Sequence, residues 1–160
     1  MAAAHVEREH VSDYLGTLVE ANEQFVKACE TVSSRHTEDA EVRLGMAKLS
    51  EFSYVAVELL LPFGEVYGRR DADGAEDLRS TLFPATPSGS FGLLRDLHAL
   101  YVMSSEVHIS LTIVMQASKE LRDDELLAVC IYLDEQNKRQ QAWLMTQIEH
   151  RTPHTLVVPQ

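Results

Sequence analysis

The sequence predicts an all-α fold, a four-helix bundle with one long crossover between its second and third helices. Four long segments repeat apolar side chains at helical spacing, and the connections between them run short, long and short. At 160 residues with 45% apolar content the chain has the size and the oil of one domain with a buried core, so a single domain over 1–160 is expected.

The first helix is expected at about 8–34. Val11, Leu15, Leu18, Phe25, Val26 and Cys29 form its inner stripe, with Asp13, Thr17, Glu20, Gln24 and Lys27 opposite. RHTED breaks the pattern, with Thr37 or Asp39 as N-cap of a second helix at 40–67. Its stripe is Val42, Met46, Leu49, Phe52, Ala56, Leu59 and Phe63. Pro62 lacks an N–H and crowds the carbonyl of Glu58, which predicts a kink or an early end.

From 68 to 91 the composition turns to Gly, Pro and polar residues without period, a crossover holding one short turn around Ala75–Leu78. The third helix is expected at 92–121 and, after RDD, the fourth at 124–150. The segment 151–160 is a proline-marked tail. About 22 connecting residues at roughly 3.3 Å each can cross a bundle whose helices of about 27 residues are near 40 Å long.

One long crossover among four helices resembles the wiring of the ferritin-like superfamily. The resemblance covers the four helices and is one of topology. It implies iron as the usual metal, held by one Glu on each of two helices and a Glu-x-x-His pair on each of the others. No Glu-x-x-His occurs on the four helices; the nearest patterns are Glu106-Val107-His108 and Glu149-His150.

At about 100° per residue, Glu106 and His108 point to nearly opposite sides of their helix. The stripe Leu93, Leu97, Tyr101, Ser104, Leu111, Met115 contains His108 and is assigned to the core. Arg95, Ala99, Val102, Ile109, Ile113 and Glu120 surround Glu106 on the outside. Glu51, Glu58 and Glu65 repeat every seven residues opposite the second helix's inner stripe, a solvated or interfacial row; the alternative keeps Glu58 as a buried ligand. The inward polar residues are neutral: Asn22, His108, Asn137 and, beside it, Gln141. Such a layer can satisfy its own hydrogen bonds and fix helix register.

Other chemistry is thin. No phosphate loop, nucleophile elbow or His-Glu-x-x-His is present. Cys29 and Cys130, without CxxC spacing, read as small buried hydrophobes in a reducing cytoplasm. A formal charge of −11 without clustered Lys and Arg argues against nucleic acid. No secretory h-region opens the chain, and the apolar run 99–115 is short and interrupted for a membrane span.

Tyr132, Gln136, Arg139 and Trp143 share a side of the fourth helix off its inner stripe, and tyrosine, arginine and tryptophan are the residue types that interface centres favour. With Val102, Ile109 and Ile113 on the third helix, they predict a homodimer or another protein partner. Three functions are therefore carried. The first is a non-enzymatic bundle with a degenerate metal centre acting through its surfaces, without cofactor. The second binds iron or another divalent metal at Glu58, Glu106 and His108. The third binds a small organic ligand at His108, Asn137 and Tyr101.

Overall fold

The computed structural model describes residues 2–68, 70–72, 74–85 and 88–158. It is all-helical, with no strand among these residues. The helices are α1 (Ala2–Arg35), α2 (Ala40–Tyr67), α3 (Gly74–Leu82), α4 (Gly89–Glu120) and α5 (Asp124–Leu156).

The turns are chemically explicit. Asp39 caps α2, its carboxylate accepting the Val42 N–H at 3.0 Å, and Asp123 caps α5 through the Leu126 N–H at 2.9 Å. Between α4 and α5, Arg122 adopts a left-handed φ of 54°, while the Asp123 N–H returns to the Ser118 carbonyl at 3.0 Å. That is the Schellman way of closing a helix, with arginine where glycine is usual. Gly68, at φ 80°, ends α2.

Helix ends show how the long helices run. Arg35 and His36, where α1 ends, meet Asp96 near the start of α4. Arg151 near the end of α5 meets Asp39 at the start of α2, and the Tyr67 hydroxyl at the end of α2 donates to Asp123 at the start of α5. Each long helix thus lies antiparallel to its two neighbours, in the cyclic order α1, α2, α5, α4, while α2 and α4 begin at the same end.

The connection from α2 to α4 climbs the length of α1. The Arg70 carbonyl presses on Gly16, where any Cβ would collide with it, and Arg70 pairs with Glu9 and Asp13. Higher up, Arg79 of α3 donates to Gln24 at 2.6 Å, and Arg35 donates to the Pro84 carbonyl at 2.8 Å. Gln24, expected on the outside of α1, is buried beneath this connection.

Several element boundaries differ from expectation. The short turn around Ala75–Leu78 is the nine-residue helix α3. Helix α5 runs on through Pro153 to Leu156, in place of a tail from 151: proline sits in the last turn, where only one interior hydrogen bond is forfeited. Helix α2 has the expected bounds and continues past Pro62 to Tyr67, without the early end that the proline allowed. Pro62 is exposed, so the orphaned Glu58 carbonyl lies on the water side.

Helix α4 is also long and apolar enough by composition to cross a membrane, and half of the relevant stretch is buried inside the protein. Its inner face is Leu93, Leu97, Leu100, Met103, Val107, Leu111 and Val114. This is rotated from the expected stripe: Tyr101, His108 and Met115 are only partly buried, whereas Leu100, Val107 and Val114 are core.

Candidate functional site

The core is divided. One apolar cluster gathers Leu15, Leu18, Ala56, Leu60, Val107, Leu111, Leu126 and Leu133; the other gathers Phe25, Met46, Leu49, Leu97, Leu100, Met103 and Leu144. Between them lies a layer of amides and hydroxyls: Asn22, Ser53, Ser104, Gln136, Asn137 and Gln140, all at most 8% exposed.

Asn137 Nδ2 donates to the Ser104 carbonyl and to Ser104 Oγ, both at 3.1 Å, and at 3.4 Å to Gln140 Oε1. Gln140 Nε2 crosses to α2, donating to the Leu49 carbonyl at 3.0 Å and Ser53 Oγ at 3.1 Å. Asn22 Nδ2 returns to the Leu18 carbonyl of its own helix at 2.9 Å. These bonds tie α4, α5 and α2 at one level and leave Asn137 Oδ1 buried without a partner among the described residues. Beside it is a cavity of about 10 Å³, lined by Asn22, Phe52, Val107, Gln136 and Asn137 among others. That volume is at the lower limit for a single water and far below the roughly 300 Å³ that organic ligands occupy.

Of the expected polar layer, Asn22 and Asn137 are in place. His108 is not: its ring is 42% exposed on the flank between α4 and α5, with Nδ1 3.6 Å from Asp134. Lys138 holds the same Asp134 at 2.6 Å, and that carboxylate in turn raises the lysine's pKa. Gln141 also lies on this flank, reaching Ser105 Oγ at 3.4 Å. Tyr101 lines an outer groove of about 470 Å³ with Phe91, His98, Met145 and Ile148, so the proposed trio of His108, Asn137 and Tyr101 is split between core and surface.

The three residues considered as metal ligands are also apart. Glu58 is exposed on the outer face of α2, in a groove with Glu23, Glu30 and Tyr54. Glu106 is half-buried and takes the Ser110 hydroxyl at 3.4 Å. Among the described residues no three His, Cys, Asp or Glu side chains converge as an ion would need.

On the surface, Tyr132 and Arg139 are exposed, as is Ile109, while Val102 and Ile113 are half-buried. Trp143 departs from the expected interface: its indole lies against Gly45 of α2, filling the space a side chain there would occupy. Small size at position 45 lets the ring bridge α2 and α5.

Sequence reasoning missed one charged site. Asp96, 0% exposed, takes Arg35 at 3.1 Å and His36 Nε2 at 2.8 Å. The only local sign is an acid beside Leu93, Leu97 and Leu100; its partners lie 61 and 60 residues away. Both cysteines are enclosed, as expected. Burial pushes each thiol up to about 12, helped at Cys29 by Glu30 against the Ser50 hydrogen bond and at Cys130 by Asp123.

No family model, curated protein or solved structure matches this chain.

Proposed function

We propose that this chain is a non-enzymatic helical-bundle protein of ferritin-like wiring that acts through its surfaces, as an oligomer or as a partner-binding module, rather than through a metal centre. One observation carries the reading. At mid-height, where di-iron bundles direct four Glu and two His side chains inward, this core holds Asn22, Ser53, Ser104, Asn137 and Gln140. Amides and hydroxyls are weak ligands for iron, and here the Asn137 and Gln140 amide nitrogens donate to Ser104, to Ser53 and to the Leu49 carbonyl.

The wiring is supported by the single long connection between α2 and α4, which start at the same end, and by the short turns joining α1 to α2 and α4 to α5. Action through surfaces is supported by the apolar side chains left outside, among them Ile109 at 56% and Ile131 at 50% exposed. Two enclosed thiols fit a reducing, cytoplasmic setting.

The test is elemental analysis of protein purified without chelator, alongside its native mass. Metal-free protein with a defined association state is the expected result. Stoichiometric metal that disappears in Glu58→Ala, Glu106→Ala or His108→Ala would overturn the reading in favour of a metal-binding protein.

A further inference from the structure

The outward face of α4 carries a self-complementary stripe. It runs Phe91, Arg95, His98, Val102, Glu106, Ile109 and Ile113, with spacings of four, three, four, four, three and four residues, symmetric about Val102. Phe91 and Ile109 are 46% and 56% exposed; Arg95 and His98 are exposed too, and the other three are half-buried. Over its length of about 33 Å the N-terminal half is basic and the C-terminal half acidic, with apolar residues at both ends and in the middle.

From this geometry we propose that a second copy of the chain docks on this stripe, α4 against α4, antiparallel about a two-fold axis at Val102. The proposal rests on the surface-acting function above and names the partner. An antiparallel pairing with this centre sets Val102 on its counterpart, Phe91 against Ile113 of the second copy, and the Arg95 stem against Ile109. His98 then faces Glu106 of the second copy, twice by symmetry, with Arg95 one turn away.

Other arrangements of two copies lose this match. Parallel pairing in register stacks His98 on His98 and Glu106 on Glu106, like charge on like. Docking through the outer face of α2 would oppose two rows of Glu51, Glu58 and Glu65 in a chain already at −11. One helix face of this length covers on the order of 300 Å², less than the roughly 800 Å² per partner of stable complexes. The dimer therefore also draws on the neighbouring edge of α5, where Met145 is 38% exposed, and it dissociates on dilution.

Sedimentation velocity over a dilution series reaching about 0.5 mM tests this. Wild type should show a concentration-dependent dimer. Val102→Arg, which puts two charges on the axis, should weaken association about tenfold or more with helicity unchanged. His98→Glu should also weaken it, and His98→Glu with Glu106→Lys should restore it. Val102→Cys should form a disulfide-linked dimer on oxidation, whatever the fate of the arginine variant; the buried native thiols do not compete. A monomer at every concentration would overturn the proposal and assign the stripe to a different protein. A dimer indifferent to Val102→Arg, with Val102→Cys uncrosslinked, would overturn it by moving the interface elsewhere. Neither outcome alters metal content, so failure here is distinguishable from failure of the function proposed above.

Discussion

Gln140 shows how much one neutral side chain can organise. It is 2% exposed, joins α5 to α2 through the Leu49 carbonyl and Ser53 hydroxyl, and receives the Asn137 amide. Gln140→Ala should cost about 2–4 kcal/mol, the sum of a cavity and of buried groups left without partners. Gln140→Leu keeps the volume, so its smaller loss, about 1–3 kcal/mol, isolates the hydrogen bonds. Urea unfolding with unchanged slope reads both numbers. If Leu proves neutral, apolar filling serves this level as well as the amides do. Asn22 and Asn137 were legible as inward because each is flanked by apolar residues at helical spacing. Gln136 and Gln140 were not, because sequence rules place a glutamine amid Glu135, Lys138 and Arg139 in solvent. What buries it is the approach of α2, a contact 87 to 91 residues distant in sequence.

At the scale of elements, segments with a clear polar face declared their inner faces, and α4, with apolar side chains on several sides, did not. The stripe of α2 through Val42, Met46, Leu49, Ala56 and Phe63 was legible, since Glu51, Glu58 and Glu65 mark its outside. Because α4 is apolar on several sides, Leu100 and Val107 competed with Tyr101 and His108 for the core, and only packing against α1 and α5 decides the phase. The contact between α2 and α5 was equally hidden, because neither Gly45 nor Trp143 announces the other. A Cβ at position 45 would overlap the indole, so Gly45→Ala should destabilise by about 1–3 kcal/mol despite its better helix propensity. Trp143→Leu makes room, and the Gly45→Ala penalty measured in that background should largely vanish. Such a double-mutant cycle gives a coupling free energy; a value near zero would mean that the ring simply swings away.

Across the whole molecule, the ion pairs of Asp96 with Arg35 and His36, and of Arg151 with Asp39 and Glu41, join long helices near their ends. Asp39 illustrates the consequence for pH. Burial alone would raise its pKa, but the Val42 N–H and then the Arg151 guanidinium, 2.8 Å away, outweigh burial and hold the carboxyl below its ordinary value. A carboxylate depressed by folding contributes stability above its unfolded pKa, and that contribution is lost as pH falls through the folded one. Arg151 also meets Glu41 at 3.5 Å and Gln147 at 3.0 Å, so it joins the start of α2 to the last turns of α5. Arg151→Gln should therefore lower stability at neutral pH, and its deficit relative to wild type should shrink as pH drops below about 4. Chemical denaturation of both proteins at a series of pH values gives the two curves. Convergence in acid assigns the effect to the ion pair; a constant gap down to about pH 2 assigns it to the packing of the arginine stem instead. With −11 formal charges on the chain, moderate acid also relieves general self-repulsion in wild type and variant alike. The difference between the curves, rather than either curve alone, is what reports on the Asp39–Arg151 pair.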